Sequence, residues 1–318
     1  MRILLDTNIW RYIVDHGALG AVQQAARRSR HKIVIAPAVV YEALRTGNPR
    51  LRDSMVAAMT LPLWKRLMPE AFSEAEEIKA EVERLQPAWL RRPKDQVMYR
   101  RLRHDWTRSR GGFWDRVRYD TTREFQRIDD SRMLQVARTS ARKAREAALS
   151  MPAHWRDAAL GAMLASPVDP TPGWDGSPVQ LWRVEAHSYF EQALTMPLHP
   201  YIDWLEGEVN LPMMMLQKQE RTRFWFHDVD PVRMPRHWLR SAFEFQQQFH
   251  KITDGTPGDC QLGTYLVDVD VMLSADKNFV RFAERCRLEA PFFVGSSVVV
   301  PGDRSAIEAL LTELAKPA

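Results

Sequence analysis

The sequence predicts an α/β protein. It reads as a three-layer α/β/α arrangement around a central parallel sheet, with a mainly helical segment inserted into it. Three observations carry this expectation. Short, wholly apolar runs occur at 3–5 (Ile-Leu-Leu), 33–36 (Ile-Val-Ile-Ala) and 271–273 (Val-Met-Leu), and uninterrupted runs of this length suit parallel strands covered on both faces. Helix-forming stretches alternate with them, the pattern of strand–helix–strand units. The alternation stops at Pro87 and returns at 259.

Taken in order, residues 3–5 form the first strand, closed by Asp6, and a helical stretch follows over about 8 to 28. The second strand, 33–36, is stopped by Pro37, after which 38–45 is again helical. Residues 64–68 read as a further strand. The next segment, 72–85, carries strong helix formers, among them Glu74, Ala75, Glu76, Glu77, Ala80, Glu81 and Leu85. From 87 to 250 there is no strand series. Arg-rich and aromatic-rich helical stretches are broken once, at 166–178, where four prolines and two glycines in thirteen residues make an irregular loop. The third apolar strand, 271–273, ends in Ser274-Ala275-Asp276, a closing strand falls at 291–295 or 297–300, and 304–315 is a terminal helix. The economical division is one α/β domain split across 1–86 and 251–318, enclosing a mainly α-helical basic insertion of 164 residues, 87–250. No internal repeat is visible.

Composition narrows the function classes. The net charge is +5 and the pI about 9.3, which points to an anionic partner without proving one. Two cysteines, Cys260 and Cys286, exclude a disulfide framework and a four-cysteine zinc site, so a reduced, cytoplasmic protein is the expectation. No apolar run approaches 18 residues, so no membrane partner is expected. Asp6 interrupts the first apolar run too early for a signal peptide. The nine histidines form no His-x-x-x-His pair, and no Gly-x-x-x-x-Gly-Lys-Ser/Thr motif suggests a P-loop.

Four acids fall at or near the carboxyl ends of the expected strands, where active groups gather in open α/β sheets. Asp6 ends the first strand. Glu42 lies about one helical turn beyond the second. Asp259 opens the helical segment leading to the third, and Asp276 follows that strand. Each has a plainer reading alone: Asp6, Asp259 and Asp276 can cap helices or turns, and Glu42 can be a solvated helix residue. Asp268 and Asp270 are competitors, but Asp270 precedes its strand, and Asp254 reads as loop. Converging carboxylates repel one another, and a protein keeps them together mainly by binding a hard cation. Mg²⁺ or Mn²⁺ fits an all-carboxylate set.

These residues resemble a family. Leu5-Asp6-Thr7-Asn8, Pro37 with Glu42, Asp259, and the run Leu273-Ser274-Ala275-Asp276-Lys277-Asn278-Phe279 are similar to the motifs of the PIN-domain nucleases, over the two flanking pieces of the chain. The resemblance implies a PIN-like fold and metal-dependent phosphodiester hydrolysis, with RNA favoured over DNA. It implies that Asp6, Glu42, Asp259 and Asp276 hold one or two divalent ions, and that Asn8 and Ser274 orient ligands or water. The insertion departs from the pattern, being larger than the usual domain. The alternatives are a nucleic-acid-binding protein, or the toxin of a toxin–antitoxin pair held by an inhibitory protein partner. An oligomer is compatible with either.

The insertion has a charge signature of its own. Residues 91–145 hold 17 basic residues, fifteen of them Arg, against seven acids. Arg100, Arg101, Arg103, Arg108, Arg110, Arg116 and Arg118 are the expected nucleic-acid contacts, since guanidinium forks match phosphates. Trp106, Phe113, Trp114, Tyr119 and Phe125 are interleaved with them, as on single-strand binding surfaces, or as core beneath a solvated Arg face.

Overall fold

The computed structural model describes residues 1–108, 110–129, 156–196, 199–250, 256–302 and 305–317, together with Thr139, Arg142, Lys143, Arg145 and Glu146. The chain opens with β1 (Arg2–Leu5), α1 (Thr7–Asp15), α2 (Leu19–Arg28), β2 (Lys32–Ile35), α3 (Pro37–Leu44), α4 (Pro49–Met59), β3 (Lys65–Arg66) and α5 (Glu70–Leu85). The helical stretch expected over 8–28 is thus two helices. Gly17 at φ 60° turns the chain between them, a left-handed conformation that glycine adopts without penalty.

The middle of the chain is helical, as expected. It contains α6 (Val97–Thr107), α7 (Phe113–Tyr119), α8 (Thr121–Asp129), β4 (Leu164–Ala165), β5 (Val179–Gln180), α9 (Leu181–Thr195), α10 (Pro200–Leu205), α11 (Leu211–Leu216), α12 (Lys218–Arg223) and α13 (Pro235–Gln247). A π-helical turn, Phe224–Asp228, follows α12. β4 and β5 form a small antiparallel pair of their own. The chain then returns to the sheet through α14 (Thr256–Gly263), β6 (Val271–Ser274), α15 (Lys277–Glu289), β7 (Ser296–Val299) and α16 (Ala306–Ala315).

The main sheet has five parallel strands in the order β3-β2-β1-β6-β7. Ile3, Leu4 and Leu5 of β1 are all buried, as are Ile33, Val34 and Ile35 of β2. Successive strand residues point to opposite faces, so unbroken burial means that both faces are covered. The covering helices form two groups. α1 packs with α4, and α2 with α16; α13 packs with α14 and α15. β7 lies between the two positions the sequence offered for the closing strand.

α13 is bound to α5 by charge. Glu74, Glu77 and Glu81 lie at helical spacing on one face of α5, and all three are buried. Glu74 Oε1 accepts from Arg240 Nε and Nη2 at 2.9 and 2.6 Å, and Glu77 Oε1 accepts from Arg236 Nη1 at 2.8 Å. Arg236 also reaches Asp268 at 2.7 Å. A charged helix face ordinarily meets water; here it meets arginines. Among the described residues, no helix is long and apolar enough to cross a membrane.

Candidate functional site

From β1 the chain moves to β2 and β3 on one side, whereas β6 and β7 extend the sheet on the other. The strand order therefore reverses between β1 and β6, and the crevice at their carboxyl ends is the favoured ligand position of such sheets. Leu5 pairs with Leu273, and the Asp6 amide continues the ladder to Leu273 O at 3.0 Å. Asp6 and Ser274 thus leave the sheet side by side.

Asp6 is buried and caps α1. Its Oδ1 accepts from the Thr7 amide at 2.7 Å, and its Oδ2 accepts from Asn8 Nδ2 at 2.7 Å and Ser274 Oγ at 2.5 Å. Burial raises its pKa, these hydrogen bonds oppose the rise, and the charge of Asp276 adds to it. Asn8 also ties down the turn after β6, its Oδ1 accepting from the Ala275 amide at 3.0 Å. Ser274 Oγ in turn accepts from the Asp276 amide at 2.9 Å. The expected supporting roles of Asn8 and Ser274 toward Asp6 thus have a geometry.

Asp276 is exposed and caps α15, its Oδ1 accepting from the Asn278 and Phe279 amides at 2.7 and 3.1 Å. The capping readings of Asp6 and Asp276 therefore hold as well, and both carboxylates sit at the positive ends of helix dipoles. Glu42, on α3, accepts from Thr7 Oγ1 at 2.7 Å. Burial, followed by the charges of Asp6 and Asp276, pushes its pKa up to about 7. Asp259 lies in the first turn of α14, with Oδ2 accepting from Gln247 Nε2 at 3.2 Å. Burial, then the charges of Asp6, Glu42 and Asp276, push it up to about 8. Gly263 lets α14 approach α13 closely: a Cβ there would meet the Phe243 ring at 2.7 Å.

The four acids therefore face one another electrostatically, drawn from four separated points in the chain. Among the described residues, no group of three or more His, Cys, Asp or Glu side chains is arranged to hold a metal ion. The donor set is made of hard carboxylate oxygens, which in kind suit Mg²⁺ or Mn²⁺. The rejected candidates lie elsewhere. Asp270 binds the backbone amide and guanidinium of Arg2 at the opposite end of β6, at 2.6 and 3.1 Å, and Asp268 pairs with Arg236. Asp254 is outside the described residues.

Two residues escaped the sequence reading. Thr7 bridges to Glu42, and the Asp6-Thr7-Asn8 triplet was a usable signal for it. Gln247 touches Asp259 from the helical middle of the chain, and nothing in the sequence marked it.

The basic stretch is divided in its duties. Arg100, Arg101, Arg103 and Arg110 are exposed. Arg100 bonds Gln96 Oε1 at 2.9 Å. Arg116 instead grips both oxygens of Asp105 at 2.6 Å, and Arg108 reaches the same carboxylate at 3.0 Å. Arg118 lies over the Tyr119 ring, 5.6 Å from its centre. Arg101, His104, Arg108, Arg116 and Arg127 line one concavity. Phe113 and Trp114 are buried, with Trp106 packed 4.1 Å from Phe113, centre to centre. These aromatics are core because they fill the space between α6 and α7, and of the interleaved set Tyr119 is the exposed one. Arg132 and Arg138 lie outside the described residues. The Phe113 ring also packs 5.5 Å from Tyr41, the neighbour of Glu42, so α7 is docked on the helix that carries Glu42.

No family model, no curated protein and no solved structure matches the chain.

Proposed function

We propose that this chain is a divalent-metal-dependent nuclease, acting on RNA in preference to DNA. In this reading a PIN-like domain, 1–86 with 251–318, encloses the basic insertion 87–250. The observation that carries it is the mutual electrostatic coupling of Asp6, Glu42, Asp259 and Asp276 at the reversal of strand order. Carboxylates held together at the cost of raised pKa values are characteristic of functional sites. Without a counter-ion, like charges have no reason to close into a chelate, which accords with the separation of these acids.

The four carboxylates would hold Mg²⁺ or Mn²⁺. When bound, such an ion neutralises phosphoryl charge and lowers the pKa of a water. Asp6 is held in one orientation by Asn8, Ser274 and the Thr7 amide. Thr7 turns Glu42 toward the same crevice. Exposed Asp276 stands on the solvent side, where a polymer substrate enters. Arg100, Arg101, Arg103 and Arg110 supply sequence-independent attraction for the phosphate chain.

The test is cleavage of labelled single-stranded and duplex RNA and DNA, with Mg²⁺, with Mn²⁺ and with excess chelator. Cleavage of RNA that chelator abolishes and Mn²⁺ restores is expected. Undiminished cleavage in chelator, or none with any ion, removes the reading.

A further inference from the structure

We propose that Gln247 is a positioning residue for the carboxylate centre, reaching into it from the helical middle of the chain and fixing the orientation of Asp259 with Cys260 as its anchor. This rests on the metal-site reading above. Gln247 ends α13, and its side chain is buried. Its amide is used at both ends. Cys260 Sγ donates to Oε1 at 2.8 Å, and Nε2 donates to Asp259 Oδ2 at 3.2 Å.

The two contacts make the amide directional. An amide rotated by half a turn would set Oε1 against the Asp259 carboxylate, acceptor against acceptor. The buried Cys260 thiol prevents this, because it offers its hydrogen to Oε1 and leaves Nε2 to the carboxylate. Burial keeps the thiol protonated by raising its pKa. Asp259 and Cys260 are adjacent in sequence, so one turn of α14 presents both the acid and the anchor to one glutamine. Among the described residues, Gln247 is the hydrogen-bond donor to the Asp259 side chain. The other three acids have supports from their own neighbourhood: Thr7, Asn8, Ser274 and the first amides of α15. Asp259 takes its support from a helix that itself is clamped to α5 through Arg236 and Arg240. The helical segment thus shapes the centre and is more than a substrate-binding addition. Partners that orient ligands in this way are worth about 10–100-fold in metal affinity.

The experiment measures Mn²⁺ binding to the full chain by calorimetry and by electron paramagnetic resonance, with melting followed in parallel. Gln247→Leu, similar in size and without the donor, should bind Mn²⁺ about 10–100-fold more weakly while remaining folded. Cys260→Ser, which keeps a donor toward Oε1, should bind like the wild type. Cys260→Ala, which leaves the amide able to rotate, should bind several-fold more weakly. If Gln247→Leu does not fold, the comparison of Cys260→Ala with Cys260→Ser decides. Wild-type binding with unchanged affinity in Gln247→Leu, or in Cys260→Ala where that comparison decides, overturns this inference alone. Absence of Mn²⁺ binding in the wild type overturns the metal reading and this inference with it.

Discussion

Ser274 Oγ lies 2.5 Å from Asp6 Oδ2 and accepts the Asp276 amide at 2.9 Å. One hydroxyl thereby spans two acids from the beginning and the end of the chain. Its hydrogen is committed to Asp6 and its lone pair to the turn that starts α15. Ser274→Ala is expected to lower metal-dependent turnover by about 10–100-fold and stability by about 1 kcal/mol. Steady-state cleavage and thermal melting are the checks. Unchanged turnover would show that Ser274 only shapes the turn.

Asp6→Asn and Asp276→Asn should each reduce turnover by at least about 100-fold. Asp270→Asn should leave it intact, because Asp270 is tied to Arg2 at the far end of β6. Inactivation by the third substitution and not by Asp276→Asn would place the centre at the wrong end of the strand.

The raised pKa values carry a pH prediction. Asp259, ordinarily near 3.8, titrates at about 8, and Glu42, ordinarily near 4.5, at about 7. Between the ordinary and the raised values the folded chain holds protons that the unfolded chain has released. Stability is then present at low pH and declines as pH rises through that window. The melting temperature in chelator should therefore fall from pH 5 toward pH 8.5, and Asp259→Asn should flatten the decline. A melting temperature that rises over this range would contradict the coupling of the acids.

The arginines of 91–145 should separate into two classes. Arg100→Glu, Arg101→Glu and Arg103→Glu together should weaken binding of an unstructured oligonucleotide and reduce its salt slope, at roughly 0.7 per lost single-strand phosphate contact. Arg116→Ala should instead cost about 1 kcal/mol of stability, since its partner is Asp105. Equal salt slopes for wild type and triple variant would show that the exposed cluster serves another purpose.

Arg240→Leu tests the clamp between α5 and α13. It leaves Glu74 without its guanidinium in a buried setting, a loss of about 3–5 kcal/mol. Denaturant unfolding reads this directly, and wild-type stability would show that Tyr201 alone satisfies Glu74.

Much of the centre was legible because its signals are local. β1, β2 and β6 are apolar without interruption, since both faces of each are covered, and the acids follow those runs at short, fixed offsets. β7 was harder to place. It is an edge strand of Ser-Ser-Val-Val with one neighbour, so its sequence carries a weaker burial pattern. α4 went unread although Asn48 caps it and Pro49 begins it, because Arg50, Arg52 and Asp53 obscure its apolar side. The glutamates of α5 were read as helix formers. That was right for the helix and silent about the face, because only arginines more than 150 residues away make the face an interior one. Gln247 was invisible for the same reason: a glutamine acquires meaning from what it touches.

The position of β1 in the middle of the sheet has a consequence for synthesis. β1 pairs on one side with β2, which leaves the ribosome soon after it, and on the other with β6. Between Leu5 and Val271 lie 265 residues. At the ordinary pace of translation, the apolar edge of β1 waits on the order of 10–50 s for its second neighbour. A nascent chain in that interval carries Asp6 and Glu42 without Ser274 or Asp276, so a ribosome stalled before β6 releases a product that cannot assemble the centre.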